Sequence, residues 1–178
     1  MGTFEEVVTS LLTKFGEDIL ETCIKTLEER EGLSGMVKKA SAKSNAFVLN
    51  LIKMVVERED AEFCQKRNIH KVLKYHTYRA KNILTPIGNI ELCRNEYLDK
   101  DSAKRFVYVD DILDLDKRQR IDKLFQGEIV KSAVEHSYRT ASALAGGMVT
   151  PMTAYNLVKR YHPKQEEVFE EEIGKKKE

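Results

Sequence analysis

Two groups of side chains in this 178-residue sequence have types and spacings that could do chemistry. The first is Asp110, Asp111, Asp114 and Asp116. Carboxylates so close together could hold a divalent cation and activate water against a phosphodiester. Ile112, Leu113 and Leu115 alternate with them, however, and fit a short helical turn packed on a sheet. Acidic residues suit the start of such a turn because its exposed amides carry partial positive charge. No His, Lys or further acid completes a catalytic set, so these aspartates are expected to be structural and no catalytic residue is assigned. The second group is Thr150, Thr153, Asn156, Lys159 and Arg160, with Arg139 upstream. Threonine and asparagine can hydrogen-bond base edges, and lysine and arginine neutralise phosphates. No acidic residue falls between His136 and Gln165. The chemistry indicated is DNA binding, although the same pattern suits a helical hairpin whose polar face is simply hydrated.

A second basic window runs from Phe63 to Ile90, again without Asp or Glu. It holds Lys66, Arg67, Lys71, Lys74, Arg79 and Lys81 among His70, Tyr75, His76 and Tyr78. Each cation that neutralises a phosphate releases about one counterion, so several would give salt-dependent, sequence-independent affinity. A solvated connection between a helix and a strand would have the same composition. The whole-chain charge does not help: 30 Lys and Arg stand against 29 Asp and Glu, net +1. Any argument for a nucleic-acid partner must come from local distribution.

Cys23, Cys64 and Cys93 are widely spaced and odd in number, with no Cys-x-x-Cys pair. Reduced thiols in a cytoplasm are the simplest account. The histidines show no ligand spacing with them, so no metal site and no cofactor are assigned. No apolar run reaches the roughly 20 residues of a membrane span, and the start lacks the basic region of a signal peptide.

The elements that must position these groups follow from periodicity. Residues 3 to 30 predict a helix: Thr3 and Glu6 make a capping box, and Phe4, Val7, Val8, Leu11, Leu12, Phe15, Ile19, Cys23, Ile24 and Leu27 recur at helical spacing as a stripe to be buried. Gly32 and Gly35 are expected to end it, and residues 36 to 44 to form a loop or frayed start. A second helix is predicted over roughly Asn45 to Lys66. The two could pair as a hairpin or form a homodimer interface through residues 3 to 66. Ile83 to Arg94 reads as a β-hairpin turning near Pro86–Asn89, and Arg105 to Val109 as a third strand. Ile121 to His136 is the first helix of a tri-helical unit, with Ile121, Leu124, Phe125, Ile129, Ala133 and Val134 as its core face. Ser137 caps Tyr138 to Leu144, and Ala145-Gly146-Gly147 breaks that helix. Thr150-Pro151 starts another that runs to His162 with Ala154, Leu157, Val158 and Tyr161 inward. This is a helix-turn-helix pattern. The expected fold is α+β and mainly α. It comprises a helical region over 1–74, a β-meander over 75–109, a helix-turn-helix unit over 110–163 and a charged tail over 164–178.

Four segments, in order, resemble the N-terminal region of ISLre-type insertion-sequence transposases, a group with a Mutator-like core. They are Ile83 to Tyr97, Tyr108 to Ile121, Ser137-Tyr138-Arg139, and Thr153 to Lys159. The resemblance implies binding of double-stranded DNA at the ends of a mobile element. Arg139, Lys159 and Arg160 would hold phosphates, Thr153 and Asn156 would face bases, Thr150 would complete the DNA-binding set at the helix start, and Lys66, Arg67, Lys71, Arg79 and Lys81 would add non-specific affinity. In that family an RNase-H-like core with an Asp-Asp-Glu metal site lies downstream. The divalent metal and the enzymatic activity are therefore expected outside this chain. A helical dimerisation protein without a nucleic-acid role is the alternative expectation.

Overall fold

A computed structural model of the chain describes residues 3–66 and 69–161. The fold is α+β and mainly helical, with helices at both ends and a small three-stranded antiparallel sheet between them. Arg67, the end of the expected last helix at His162, and the tail over 164–178 lie outside the described residues. None of the described helices is long and apolar enough to cross a membrane. The described residues group into two compact units. One takes in those up to Lys81 together with Ile87–Leu115; the other takes in Asn82–Pro86 and the residues from Asp116 onward.

In the first unit, α1 (Phe4–Glu28) opens on the capping box: the Glu6 amide donates to Thr3 Oγ1, and the Thr3 amide to Glu6 Oε2. Arg30 at φ 55° and Gly32 at φ 74° turn the chain into α2 (Gly32–Gln65), which runs antiparallel to α1. Successive contacts fix that register. Lys39 bonds Glu29 and Glu31 at 3.0 and 2.7 Å, Phe15 stacks on Phe47 at 4.2 Å, and Arg58 lies over the Phe4 ring. The expected loop or frayed helical start over 36–44 is instead helix interior. Lys38, Lys39, Ala40, Ala42 and Lys43 are strong helix formers, and packing on α1 outweighs the weak propensity of Gly35.

After the short α3 (Ile69–Val72) come β1 (Leu73–Thr85), β2 (Gly88–Asp99) and β3 (Arg105–Phe106), in that spatial order. The turn at Pro86-Ile87 lies within the expected one. The third strand is shorter than expected because Tyr108 and Val109 already belong to α4 (Tyr108–Ile112). β3 pairs only Tyr97 with Phe106 and Leu98 with Arg105, so β2 upstream of Tyr97 has an edge that β3 does not cover. Carboxylates of α2 meet it: the Cys93 amide donates to Glu57 Oε1 at 3.1 Å, and the Asn95 amide to Asp60 Oδ2 at 2.7 Å. This satisfies backbone donors that would otherwise invite another strand. Ile90, Leu92, Tyr97, Val109 and Val56 are buried there, and Phe63 stacks on Tyr108 at 4.0 Å.

The second unit is tri-helical: α5 (Lys123–Glu135), α6 (Tyr138–Leu144) and α7 (Pro151–Tyr161). Its core is Phe125, Ile129, Ala133, Ala141, Ala145, Val149, Ala154 and Leu157, with Leu84 and Ile121 packed against it. Leu124, Val134 and Tyr161, expected inward, are mostly exposed. Alanines at the helix crossings let the backbones approach so closely that a narrower stripe suffices.

Candidate nucleic-acid interface

Three capping devices set the starts of α5, α6 and α7. Asp122 accepts the Phe125 amide at the head of α5, Ser137 Oγ the Thr140 amide at the head of α6, and Thr150 Oγ1 the Thr153 amide at the head of α7. Gly146 (φ 64°) and Gly147 (φ 72°) carry the left-handed backbone that stops α6. The Gly147 amide reaches back to the Ser142 carbonyl at 3.0 Å, closing the helix end. Ser142 itself is buried, and its hydroxyl donates to the Val149 carbonyl at 2.6 Å, so the turn between the helices is tied from inside. Tyr138 meets Tyr155 edge to face at 5.5 Å, joining α6 to α7.

With Ala154 and Leu157 buried, α7 turns its other side outward. Asn156, Lys159 and Arg160 are exposed, as is Arg139 on α6. The two threonines are placed differently. Thr150 Oγ1 is engaged as the cap and lies 2.9 Å from Thr153 Oγ1, and Thr153 is half-buried. Their hydroxyls fix the start of α7 more directly than they offer free groups to a base.

Alongside α7 runs a groove of about 580 Å³. Thr153, Asn156 and Arg160 line it from α7, and Arg118, Arg120 and Lys123 from the segment leading into α5. That segment is held by the other part of its unit: the Leu84 amide donates to the Arg120 carbonyl and the Asp122 amide to the Leu84 carbonyl, both at 2.8 Å. From the sequence alone Arg118 and Arg120 have no role of their own. The alternation of charge around Gln119 was the available signal.

The other basic window lies mainly in the first unit. Lys66, at the end of α2, and Lys71, in α3, are exposed. Arg79 is exposed on β1, with Nε 3.6 Å from Glu96. Lys81 is a correction. It is only 8% exposed, with Nζ 3.4 Å from Asp110 Oδ2, and so is withdrawn from a phosphate-binding role. It shares the inward face of β1 with buried Ile83, two positions on, and Arg94 joins it on the same aspartate. Asp110 thus balances buried cations, as its structural reading requires. Asp111 and Asp114 are exposed, and among the described residues no group of His, Cys, Asp or Glu is placed to hold a metal ion.

Comparison with known proteins gives relatives in one organism, Caldanaerobacter subterraneus subsp. tengcongensis. Two UPF0236 proteins there are each 23% identical over 142 residues, covering 80% of this chain and 30% and 29% of their own lengths. Another is 23% identical over 131 residues, covering 74% of this chain and 28% of its own. The chain therefore spans about 30% of the length of the curated relatives it matches. No solved structure matches it. The model of the family described as "Uncharacterised protein family (UPF0236)" matches residues 25–160, most of the chain, which accordingly belongs to that family.

Proposed function

We propose that this chain is a DNA-binding portion of an insertion-sequence transposase, with α7 as the recognition helix of a helix-turn-helix. The observation that carries the reading is the split surface of α7, with Ala154 and Leu157 in the core and Asn156, Lys159 and Arg160 outward. A helix so mounted can enter the major groove with its polar side leading. Asn156 then faces a base edge, where its amide can both donate to and accept from adenine. Lys159, Arg160 and Arg139 hold phosphates, and Lys66, Lys71 and Arg79 add sequence-independent affinity. The order of the transposase-like segments supports this reading, as does the name of one relative. That protein, 21% identical over 142 residues, bears eleven locus designations. Repetition of one protein at many loci is what a self-copying DNA element leaves behind. In this reading cutting and joining, with the divalent metal they need, fall to the part of the longer relatives that this chain does not span.

The test is fluorescence anisotropy of the full chain on labelled duplexes over a range of salt. Three phosphate contacts from Arg139, Lys159 and Arg160 give a log–log slope of about −2.7 or steeper. Affinity that is absent, or indifferent to salt, refutes the reading. A second reading draws on Leu12, Leu20, Ile24 and Leu27, exposed along α1: a homodimer formed through the helical hairpin, with no nucleic-acid role. Light scattering that finds a dimer, together with no duplex affinity, would select it.

A further inference from the structure

The groove beside α7 has a second wall, and its residues have no part in the function proposed so far. Arg118 and Arg120 are both exposed, while Gln119 between them is buried. From Asp116 to Arg120 only Gln119 is buried, and the exposed side chains on either side of it are both guanidinium groups. Gln119 is turned inward by its own contact, Oε1 accepting the Asp116 amide at 3.1 Å. Backbone bonds on both sides of Ile121 to Leu84 fix the segment further. The two arginines therefore stand on an anchored stretch of chain. Lys123 and, from the opposite wall, Arg160 line the same groove, in which Asp116 supplies the one carboxylate among the described residues.

We infer that residues 118–123 form a backbone clamp: Arg118 and Arg120, with Lys123, grip phosphates of the duplex whose bases face α7. Arginine suits this because its planar fork matches a phosphate bidentately, and an anchored segment loses little freedom on binding. Exposed Asn156 on the facing wall favours a duplex over an acidic polypeptide, because its amide can both donate to and accept from a base edge. The inference rests on the DNA-binding reading and adds to it a second point of contact.

The test is the salt dependence of duplex binding by the full chain carrying Arg118→Ala and Arg120→Ala together. Loss of two phosphate contacts makes the log–log slope shallower by about 1.8. Between about 50 and 200 mM salt, the wild type then loses about 12-fold more affinity than the variant. The Arg118→Lys, Arg120→Lys variant retains the steeper slope, because charge rather than fold is at issue. Lys131→Ala, which removes an exposed cation of α5 outside the groove, leaves the slope unchanged. A wild-type chain that binds duplex, with an unchanged slope in the double alanine variant, overturns the clamp while leaving the recognition helix intact. Polyglutamate competing as strongly as duplex also overturns it, in favour of an acidic protein partner. A wild type without salt-dependent affinity removes the DNA-binding reading itself.

Discussion

Asn156 and Leu157 are neighbours in sequence, and substituting each by alanine should give opposite results. Leu157 is 4% exposed, in a core where Ala141, Ala145 and Ala154 surround the junction of α6 and α7. Those alanines are too short to swing into the space a truncated leucine leaves. Leu157→Ala should therefore cost in the upper part of the usual range, about 3–5 kcal/mol. Asn156 is exposed, and alanine is the better helix former. Asn156→Ala should leave stability unchanged or raise it by about 0.5 kcal/mol. On DNA the order reverses. Loss of a bidentate contact to adenine removes about 1–3 kcal/mol of discrimination, or about 5- to 150-fold between preferred and scrambled duplexes. A preferred duplex is first selected from a random pool with the wild-type chain. Anisotropy then measures both duplexes for each variant, and peptide-resolved hydrogen exchange follows α5, α6 and α7. If Asn156→Ala weakens preferred and scrambled duplexes by the same factor, Asn156 is not a base reader. If Leu157→Ala abolishes preference while exchange of the three helices stays as slow as in the wild type, the two faces of α7 have been assigned the wrong way round.

Three further outcomes follow from particular contacts. Ser142→Ala leaves the buried Val149 carbonyl without its 2.6 Å donor; it should cost about 1–3 kcal/mol and speed amide exchange at the start of α7. Gly147→Ala meets no atom within 4 Å, so its cost is that of φ 72° alone, about 1–2 kcal/mol in denaturant titrations; Gly16→Ala, equally unobstructed within α1, should gain up to about 1 kcal/mol. Burial raises the Asp60 pKa against the opposing bonds from Asn95 and the charge of Arg94, so the folded state holds this proton more tightly than the unfolded chain. Its contribution to stability is present at acid pH and lost as pH rises through the folded-state pKa, and thermal melts of Asp60→Asn should lack that fall. A wild type and variant with parallel pH profiles would contradict the assignment.

The parts of the fold legible in the sequence were those written in local chemistry. Ser137, Gly146-Gly147 and Thr150-Pro151 each impose a backbone state by themselves, and α6 and the start of α7 fall where those residues place them. The capping box at Thr3 worked in the same way. What escaped depended on partners remote in sequence. Gly35 reads as a breaker until α1 is there to support α2. Lys81 reads as a surface cation until Asp110, far along the chain, is brought beneath the same face of β1. Arg118 and Arg120 look like an ordinary linker because what makes them a fixed pair is the Leu84 backbone, also distant. The exposed trio Asn156, Lys159 and Arg160 needed only the helical period of α7 itself.

The way Asn82–Pro86 belongs with the C-terminal helices, while Ile87–Leu115 does not, bears on how this protein can be dissected. A fragment starting at Asp116 would carry all three helices, yet the Arg120 carbonyl would lose its donor, the Asp122 amide its acceptor, and the core the flanking Leu84. The tri-helical body is therefore not a cassette that a single cut releases. A minimal version has to supply a substitute for those five upstream residues, either as a fused strand or as a peptide added in trans.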